Sequence, residues 1–276
     1  MSIPFTKMSG CGNDFVIVDE AVLPAGVQLE KLGAAICALG TGIGADGLVV
    51  VRPAVEGGAS YSVDVINRSG APAELCGNAS RCVARYALDR GIAGTRHAFR
   101  TVAGLVEAEV LGDSVTVGLP DPTPIVLDMP VALEGETFSV DFLEVGVPHA
   151  VLWWDGDVEA APVPTLGRRL RHAHAFPKGA NANFVAVTGD LLRVRTFERG
   201  VEAETLACGT GSSASAIAAV RRGLLARPVR VKTSQGGLLT VDFELSGDQA
   251  SRVRLSGPAD YVFEGRLHAE FLAGIE

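Results

Sequence analysis

Lysine is scarce: Lys7, Lys31, Lys178 and Lys232 are the only four in 276 residues. None lies in an evident cofactor motif, so nothing marks a Schiff-base lysine of the pyridoxal kind, and no cofactor is expected. Aromatic residues make up only 6%, so the core must be built from Val, Leu, Ile and Ala. No apolar stretch approaches the length needed to span a bilayer, and Met1 to Val18 has no signal-peptide layout, so a cytoplasmic setting is expected. Positive charge is in deficit, with a formal net charge of −8. That argues against nucleic acid and anionic membranes as partners, and a solubilising surface is the simpler reading. The five cysteines (Cys11, Cys37, Cys76, Cys82 and Cys208) form an odd set without a C-x-x-C pair. They are expected as thiols of a reducing compartment, with no metal site, since zinc ligands usually come in tight pairs. Hydrophobic residues at 47% and charged residues at 20% suit a well-packed soluble chain, long enough for one large domain or two smaller ones.

A cysteine-centred motif occurs twice. One copy runs Asn67-Arg-Ser-Gly-Ala-Pro-Ala-Glu-Leu-Cys76-Gly77-Asn78 and the other Arg199-Gly-Val-Glu-Ala-Glu-Thr-Leu-Ala-Cys208-Gly209-Thr210-Gly211. Each cysteine follows a polar residue by nine positions and precedes a glycine, Gly91 or Gly223, by fifteen. Weaker echoes extend the repeat at an offset of about 132 residues. Gly12 to Val18 matches Gly146 to Leu152, and Ala45 to Val51 matches Ala182 to Val187 with one gap. Thr101 to Gly104 matches Thr233 to Gly236, and Val115 to Pro120 matches Val253 to Pro258. The order is the same in both halves, which chance matches would not produce.

Two similar α/β halves follow. Phe15–Val18, Leu48–Val51 and Ser62–Ile66 read as strands, with counterparts at Ala150–Trp153, Phe184–Val187 and Leu192–Phe197. Helices are predicted over Ala79–Arg90 and Ser212–Arg222, ended by Gly91 and Gly223 at the position where left-handed backbone is common. Four prolines between Leu119 and Pro130 suggest a linker or crossover. Trp154 to Pro177 has no echo beyond a helical stretch near Gln28 to Leu39. The halves are expected over residues 1–120, completed by the C-terminal segment 263–276, and over 121–262.

Each of Cys76 and Cys208 thus stands at a helix start. Helix N-termini carry unsatisfied N–H groups and partial positive charge, which bind carboxylates and favour a thiolate. Two such thiols facing one α-carbon suit stereoinversion, one removing the α-proton while the other delivers a proton to the opposite face. The alternative for a lone cysteine is a small buried hydrophobe, the expected fate of Cys11, Cys37 and Cys82.

These motifs resemble those of the diaminopimelate epimerase family, from Lys7 to beyond Gly236. The most specific parts are Gly12-Asn-Asp-Phe15, Gly42-Ile-Gly-Ala-Asp46, Cys76-Gly-Asn78, Glu198-Arg-Gly200 and Glu204-Thr-Leu-Ala-Cys-Gly-Thr-Gly211. The resemblance implies two pseudo-symmetric domains, each a mixed or antiparallel sheet around a central helix, with the site in the cleft between them. It implies a cofactor-independent isomerase of lysine and peptidoglycan biosynthesis, a small amino-acid substrate, a homodimer, and Cys76 and Cys208 as the acid–base pair. Gly77, Asn78, Gly209 and Thr210 would hold the reacting carboxylate. Asn67, Asn181 and Arg199 would hold the distal carboxylate, Glu198 the distal ammonium, and Asn13 would touch the substrate. His149 and Glu198 would lie near the thiols. The chain departs from the family pattern at Met8-Ser-Gly-Cys11, Asn67-Arg-Ser-Gly-Ala71, Ala79 and Val147. A racemase of another amino acid, such as histidine, and a non-catalytic amino-acid-binding protein are the competing readings.

Overall fold

The computed structural model describes every residue except 1, 55, 56, 74, 75, 235, 236 and 276, and the side chain of residue 273. Glu74 and Leu75 of the first cysteine motif and Gly236 of the Thr-x-x-Gly match therefore lie outside the described residues. The chain forms two compact units, residues 1–117 with 258–276, and residues 118–257.

The first unit runs β1 (Ile3–Gly10), β2 (Asn13–Asp19), α1 (Leu29–Cys37), β3 (Gly47–Pro53), β4 (Tyr61–Asn67), β5 (Pro72–Ala73), α2 (Gly77–Asp89), β6 (Arg96–Thr101), β7 (Gly104–Leu111) and β8 (Ser114–Gly118). The second runs β9 (Val126–Leu133), β10 (Glu136–Val145), β11 (Val147–Trp153), α3 (Arg168–Arg171), β12 (Asn181–Thr188), β13 (Leu191–Glu198), β14 (Ala203–Thr205), α4 (Gly209–Arg221), β15 (Val229–Lys232), β16 (Leu238–Ser246) and β17 (Gln249–Pro258). The C-terminal β18 (Asp260–Leu267) and α5 (Ala269–Ala273) return to the first unit.

The strand ladders repeat step for step. In the first unit the order is β18-β1-β2-β3-β4-β6-β7-β8, with β2–β3 and β4–β6 parallel and the other pairs antiparallel. In the second it is β9-β10-β11-β12-β13-β15-β16-β17, with β11–β12 and β13–β15 parallel. Parallel neighbours need a crossover. α1 makes it between β2 and β3; a π-helical turn (Val163–Gly167) running into α3 makes it between β11 and β12. β18 occupies in the first sheet the place β9 holds in the second. The duplicated α/β fold expected from the sequence is the one the chain adopts.

Each sheet wraps one central helix. α2 packs on β1, β2, β3 and β7, and α4 on β10–β13, β15 and β16. A helix enclosed on most sides must be narrow, which explains the Gly-Thr-Gly-Ser-Ser-Ala-Ser-Ala run of α4. Its Ser213 and Ser215 hydroxyls donate to the carbonyls of Gly209 and Gly211 at 3.0 and 2.7 Å, so burial leaves them satisfied. Both helices end alike. Gly91 and Ile92 donate to Leu88 and Ala87, and Gly223 and Leu224 to Val220 and Ala219. This paired closure places Gly91 and Gly223 at φ 69° and 72°, where a side chain would be strained.

Two expectations need correction. The proline-bearing stretch 119–130 is not all linker, because β9 begins at Val126 and pairs Pro130 with Ser139. Proline is tolerated there because β9 is an edge of its unit's sheet order. The match of Ala45–Val51 to Ala182–Val187 is out of register by two to three residues. Phe15 pairs with Gly47 as His149 pairs with Asn181, so Leu48 corresponds to Ala182. The run Val49-Val50-Val51 slides along another apolar strand without visible mismatch, which conceals the register.

Candidate active site

Cys76 and Cys208 occupy the same structural position. Each is the residue capping the N-terminus of a 13-residue helix, in extended conformation (φ −134°, ψ 109° and φ −113°, ψ 110°), with no side-chain cap bond. Their carbonyls accept the first helical hydrogen bonds, from Ser80 and Ser212, both at 2.8 Å. Gly77 and Asn78, and likewise Gly209 and Thr210, therefore lie in the first turn, where N–H groups fall outside the helix's own ladder. Cys208 is 7% exposed and Cys76 is partly exposed. The Cys208 sulfur stands 3.6 Å from Thr210 Oγ1.

Around Cys76 the first unit builds a polar chain. Buried Arg81 donates to Asn78 Oδ1 at 2.9 Å, Asn78 Nδ2 to Asn13 Oδ1 at 2.6 Å, and Asn13 Nδ2 to Asp46 Oδ2 at 2.9 Å. Arg68 closes the chain on Asp46 Oδ1 at 3.0 Å. Asn13 and Asn78, singled out separately in sequence, are thus direct partners. Asn67 is exposed at the end of β4, opposite Gly47 and next to Arg68. Arg81 also donates to the carbonyls of Gly77 and Pro258, both at 3.3 Å. Its described hydrogen-bond partners include no carboxylate, yet a guanidinium stays charged. Burial lowers its pKa, and the thiols of Cys11, Cys82 and Cys76 act against that shift.

The second unit builds a different polar set. His149 on β11 pairs with Asn181 on β12. Asn181 Oδ1 accepts the Arg199 backbone N–H at 2.7 Å, and the Arg199 guanidinium donates to the Lys178 carbonyl at 3.1 Å. The Glu198 carboxylate accepts from Thr205 Oγ1 at 2.9 Å. His149 is wholly buried, and desolvation, reinforced by the charge of Arg199, pushes its pKa down to about 3. It is a neutral imidazole at ordinary pH.

The remaining cysteines are buried. Desolvation raises the Cys11 pKa and pushes those of Cys37 and Cys82 up to about 12, which keeps them as protonated thiols at ordinary pH. Sequence reasoning passed over Arg81, Asn183, Thr196 and Arg68. Arg81 was detectable in principle, since residues three and four positions along a helix face one another, which returns it to Asn78 and Gly77. The hairpin before each cysteine also differs. Ile66 and Pro72 pair as Phe197 and Glu204 do, so the strand counterpart of Asn67 is Glu198 rather than Arg199. The second hairpin turn is one residue longer, which nine-residue counting back from each cysteine hides.

The fold is shared with solved structures of other proteins. A hydroxyproline epimerase from Agrobacterium vitis superposes with a TM-score of 0.70 at 18% identity, over 96% of this chain and 92% of that one. A phenazine biosynthesis protein of the PhzF family from Bacillus anthracis gives 0.75 at 13% identity, over 97% and 99%. Such distant neighbours establish the fold alone. Closer relatives define the family. The family model described as diaminopimelate epimerase matches residues 5–123 and 142–262. Curated proteins named diaminopimelate epimerase from Aquifex aeolicus and Archaeoglobus fulgidus are 41% and 39% identical, each over 97% of this chain and covering 99% and 97% of those relatives. The chain belongs to the diaminopimelate epimerase family.

Proposed function

We propose that this chain interconverts LL- and meso-diaminopimelate by a two-base mechanism without a cofactor, in lysine and peptidoglycan biosynthesis. The observation that carries this is the matched pair of cysteines, each capping an equivalent buried helix in a chain of this family. In the proposal each unit supplies one of the two acid–base thiols. One cysteine, as thiolate, takes the α-proton and becomes a thiol; the other gives its thiol proton to the opposite face and becomes the thiolate. No net proton is gained or lost, and the reverse reaction exchanges the roles.

The α-carbanion needs stabilising. The first-turn N–H groups of Gly77, Asn78, Gly209 and Thr210 would hold the reacting carboxylate, where fixed dipoles stabilise developing negative charge. Asn67, Asn181 and Arg199 would hold the distal carboxylate and Glu198 the distal ammonium, with Asn13 at the substrate edge. The Asn181–Arg199 bond supports placing those two together. Catalytic thiols require a reducing compartment, which supports a cytoplasmic setting. Among the described residues no helix is long and apolar enough to cross a membrane. A homodimer is part of the same proposal, and Tyr261, Val262 and Phe263 on β18 offer exposed apolar surface for it. Light scattering tests it.

The deciding experiment is incubation with LL-diaminopimelate in deuterated water without added pyridoxal phosphate or metal. Deuterium should enter the α-carbon as the meso isomer forms. Exchange with another amino acid but not with this one would reject the substrate and keep the mechanism. Absence of exchange from every amino acid would reject both.

A further inference from the structure

The second unit buries three polar side chains joined in series, Thr196 to Asn183 to His149. Asn183 and His149 are 0% exposed and Thr196 is 3% exposed. Thr196 Oγ1 donates to Asn183 Oδ1 at 2.9 Å. The other end of that amide lies 3.2 Å from the Ala150 carbonyl, 3.4 Å from the Asn181 carbonyl and 3.3 Å from His149 Nδ1. Carbonyl oxygens only accept, so two of them fix which end of Asn183 is NH2, and the ring nitrogen beside it faces a group that only donates. An Nδ1–H would point at amide hydrogens in a site closed to water. Nδ1 is therefore unprotonated and the ring proton is on Nε2. That Nε2 is buried and has no hydrogen-bond partner among the described residues, an unusual cost for a native donor. The network also touches the proposed chemistry. A methyl group built on Gly211 would meet Asn183 Oδ1 at 2.4 Å and the Cys208 sulfur at 3.2 Å, so amide and thiol converge on one point of the first turn of α4.

We propose that Asn183, oriented by Thr196, is a positioning residue that holds His149 as the neutral Nε2–H tautomer, so that Nε2 serves as a hydrogen-bond donor to the anionic amino-acid substrate. The tautomer follows from the geometry alone; its catalytic use rests on the function proposed above. His149 is then a fixed dipole rather than a base. The Asn183 counterpart by strand register is Val49, facing Val65 where Asn183 faces Thr196, so the first unit has no such device.

Nitrogen-15 NMR of histidine-labelled protein reads the tautomer directly. His149 should show an unprotonated Nδ1 and a protonated Nε2 from pH 6 to 9. In Asn183→Asp the acceptor beside Nδ1 should draw a proton onto it. A protonated Nδ1 in the unsubstituted protein, or no change in Asn183→Asp, overturns the proposal. A double-mutant cycle tests the use of the donor. Asn183→Leu should lower kcat/KM on the order of 10- to 100-fold, as for loss of an aligned donor. His149→Gln supplies an N–H at the Nε2 position that needs no tautomer, so adding Asn183→Leu to it should change kcat/KM by less than threefold. Additive losses would show Asn183 acting only structurally and overturn the proposal. If no amino acid is turned over, the function fails while the NMR result still decides the tautomer.

Discussion

Gly211→Ala isolates the convergence of Asn183 and Cys208. The new Cβ would stand 2.4 Å from Asn183 Oδ1, 3.2 Å from the Cys208 sulfur and 3.3 Å from its Cβ. Relief requires the amide oxygen to retreat by about 1 Å, since ordinary contact begins near 3.4 Å. It cannot retreat cheaply, because Thr196 holds the oxygen and two carbonyls hold the nitrogen. Overpacking of this kind costs roughly 1–3 kcal/mol, and replacing a helical glycine by alanine returns about 0.5–1 kcal/mol. The net cost is about 0–2.5 kcal/mol, a fall in Tm of at most about 10 °C for a unit of this size. Activity should respond more strongly, because the amide that must move holds His149 and adjoins the Cys208 sulfur, and a misplacement of about 1 Å even away from the reacting atoms lowers rate on the order of 100-fold. Calorimetry and α-deuterium exchange, measured on the same preparation, separate the two effects. A folded Gly211→Ala protein with kcat/KM within threefold of the unsubstituted enzyme would refute the argument.

Cys76→Ala and Cys208→Ala should each reduce epimerisation by at least about 100-fold, the usual contribution of a positioned acid or base, and full activity in either would rule out the two-base reading. Asp141 is 0% exposed and accepts from Arg222 Nε and Nη2, both at 2.6 Å, from Trp153 Nε1 at 2.7 Å and from the Asp128 N–H at 3.1 Å. Asp141→Asn should cost about 3–5 kcal/mol, as breaking a buried pair does, read by urea unfolding with tryptophan fluorescence; a change below about 1 kcal/mol would show the pair to be dispensable. His149 has a folded pKa of about 3, below its unfolded value near 6.5, so between these limits the unfolded chain binds more protons. Its contribution to stability is complete above about pH 6.5 and is lost as pH falls toward 3, with a slope of up to about 1.4 kcal/mol per pH unit. His149→Gln should flatten that slope, and an unchanged acid transition would assign it to other groups.

The cysteine pair was legible because it rests on backbone. A strand, a cap residue and a run of small residues leave a local signature in each half, and Gly91 and Gly223 mark the ends through left-handed φ. The supports of the site were not legible, since they join residues distant in sequence. The bond from Asn78 to Asn13 spans 65 positions and that from His149 to Asn183 spans 34. A chain of apolar strands carries no visible register, so Asn183 reads as one polar interruption of a strand until the ladder sets it opposite Thr196.

Aligned by strand register and helix position, the two polar networks are complementary rather than repeated. His149, Asn181, Asn183 and Thr196 fall on Phe15, Gly47, Val49 and Val65. Asn78 and Arg81 fall on Thr210 and Ser213, and Asn13 on Val147. Wherever one unit buries a hydrogen-bonded network, the other has apolar or small side chains. Buried polar groups are tolerable only as complete sets, because each missing partner costs about 1–3 kcal/mol. Phe15→His alone would set an imidazole among Val49 and its apolar neighbours with none of Asn183's bonds. Divergence after duplication therefore had to proceed by whole networks, while the shared backbone kept the thiols equivalent. Symmetry at sulfur and asymmetry in its supports are the combination a reversible inversion needs when the substrate's two ends must be told apart.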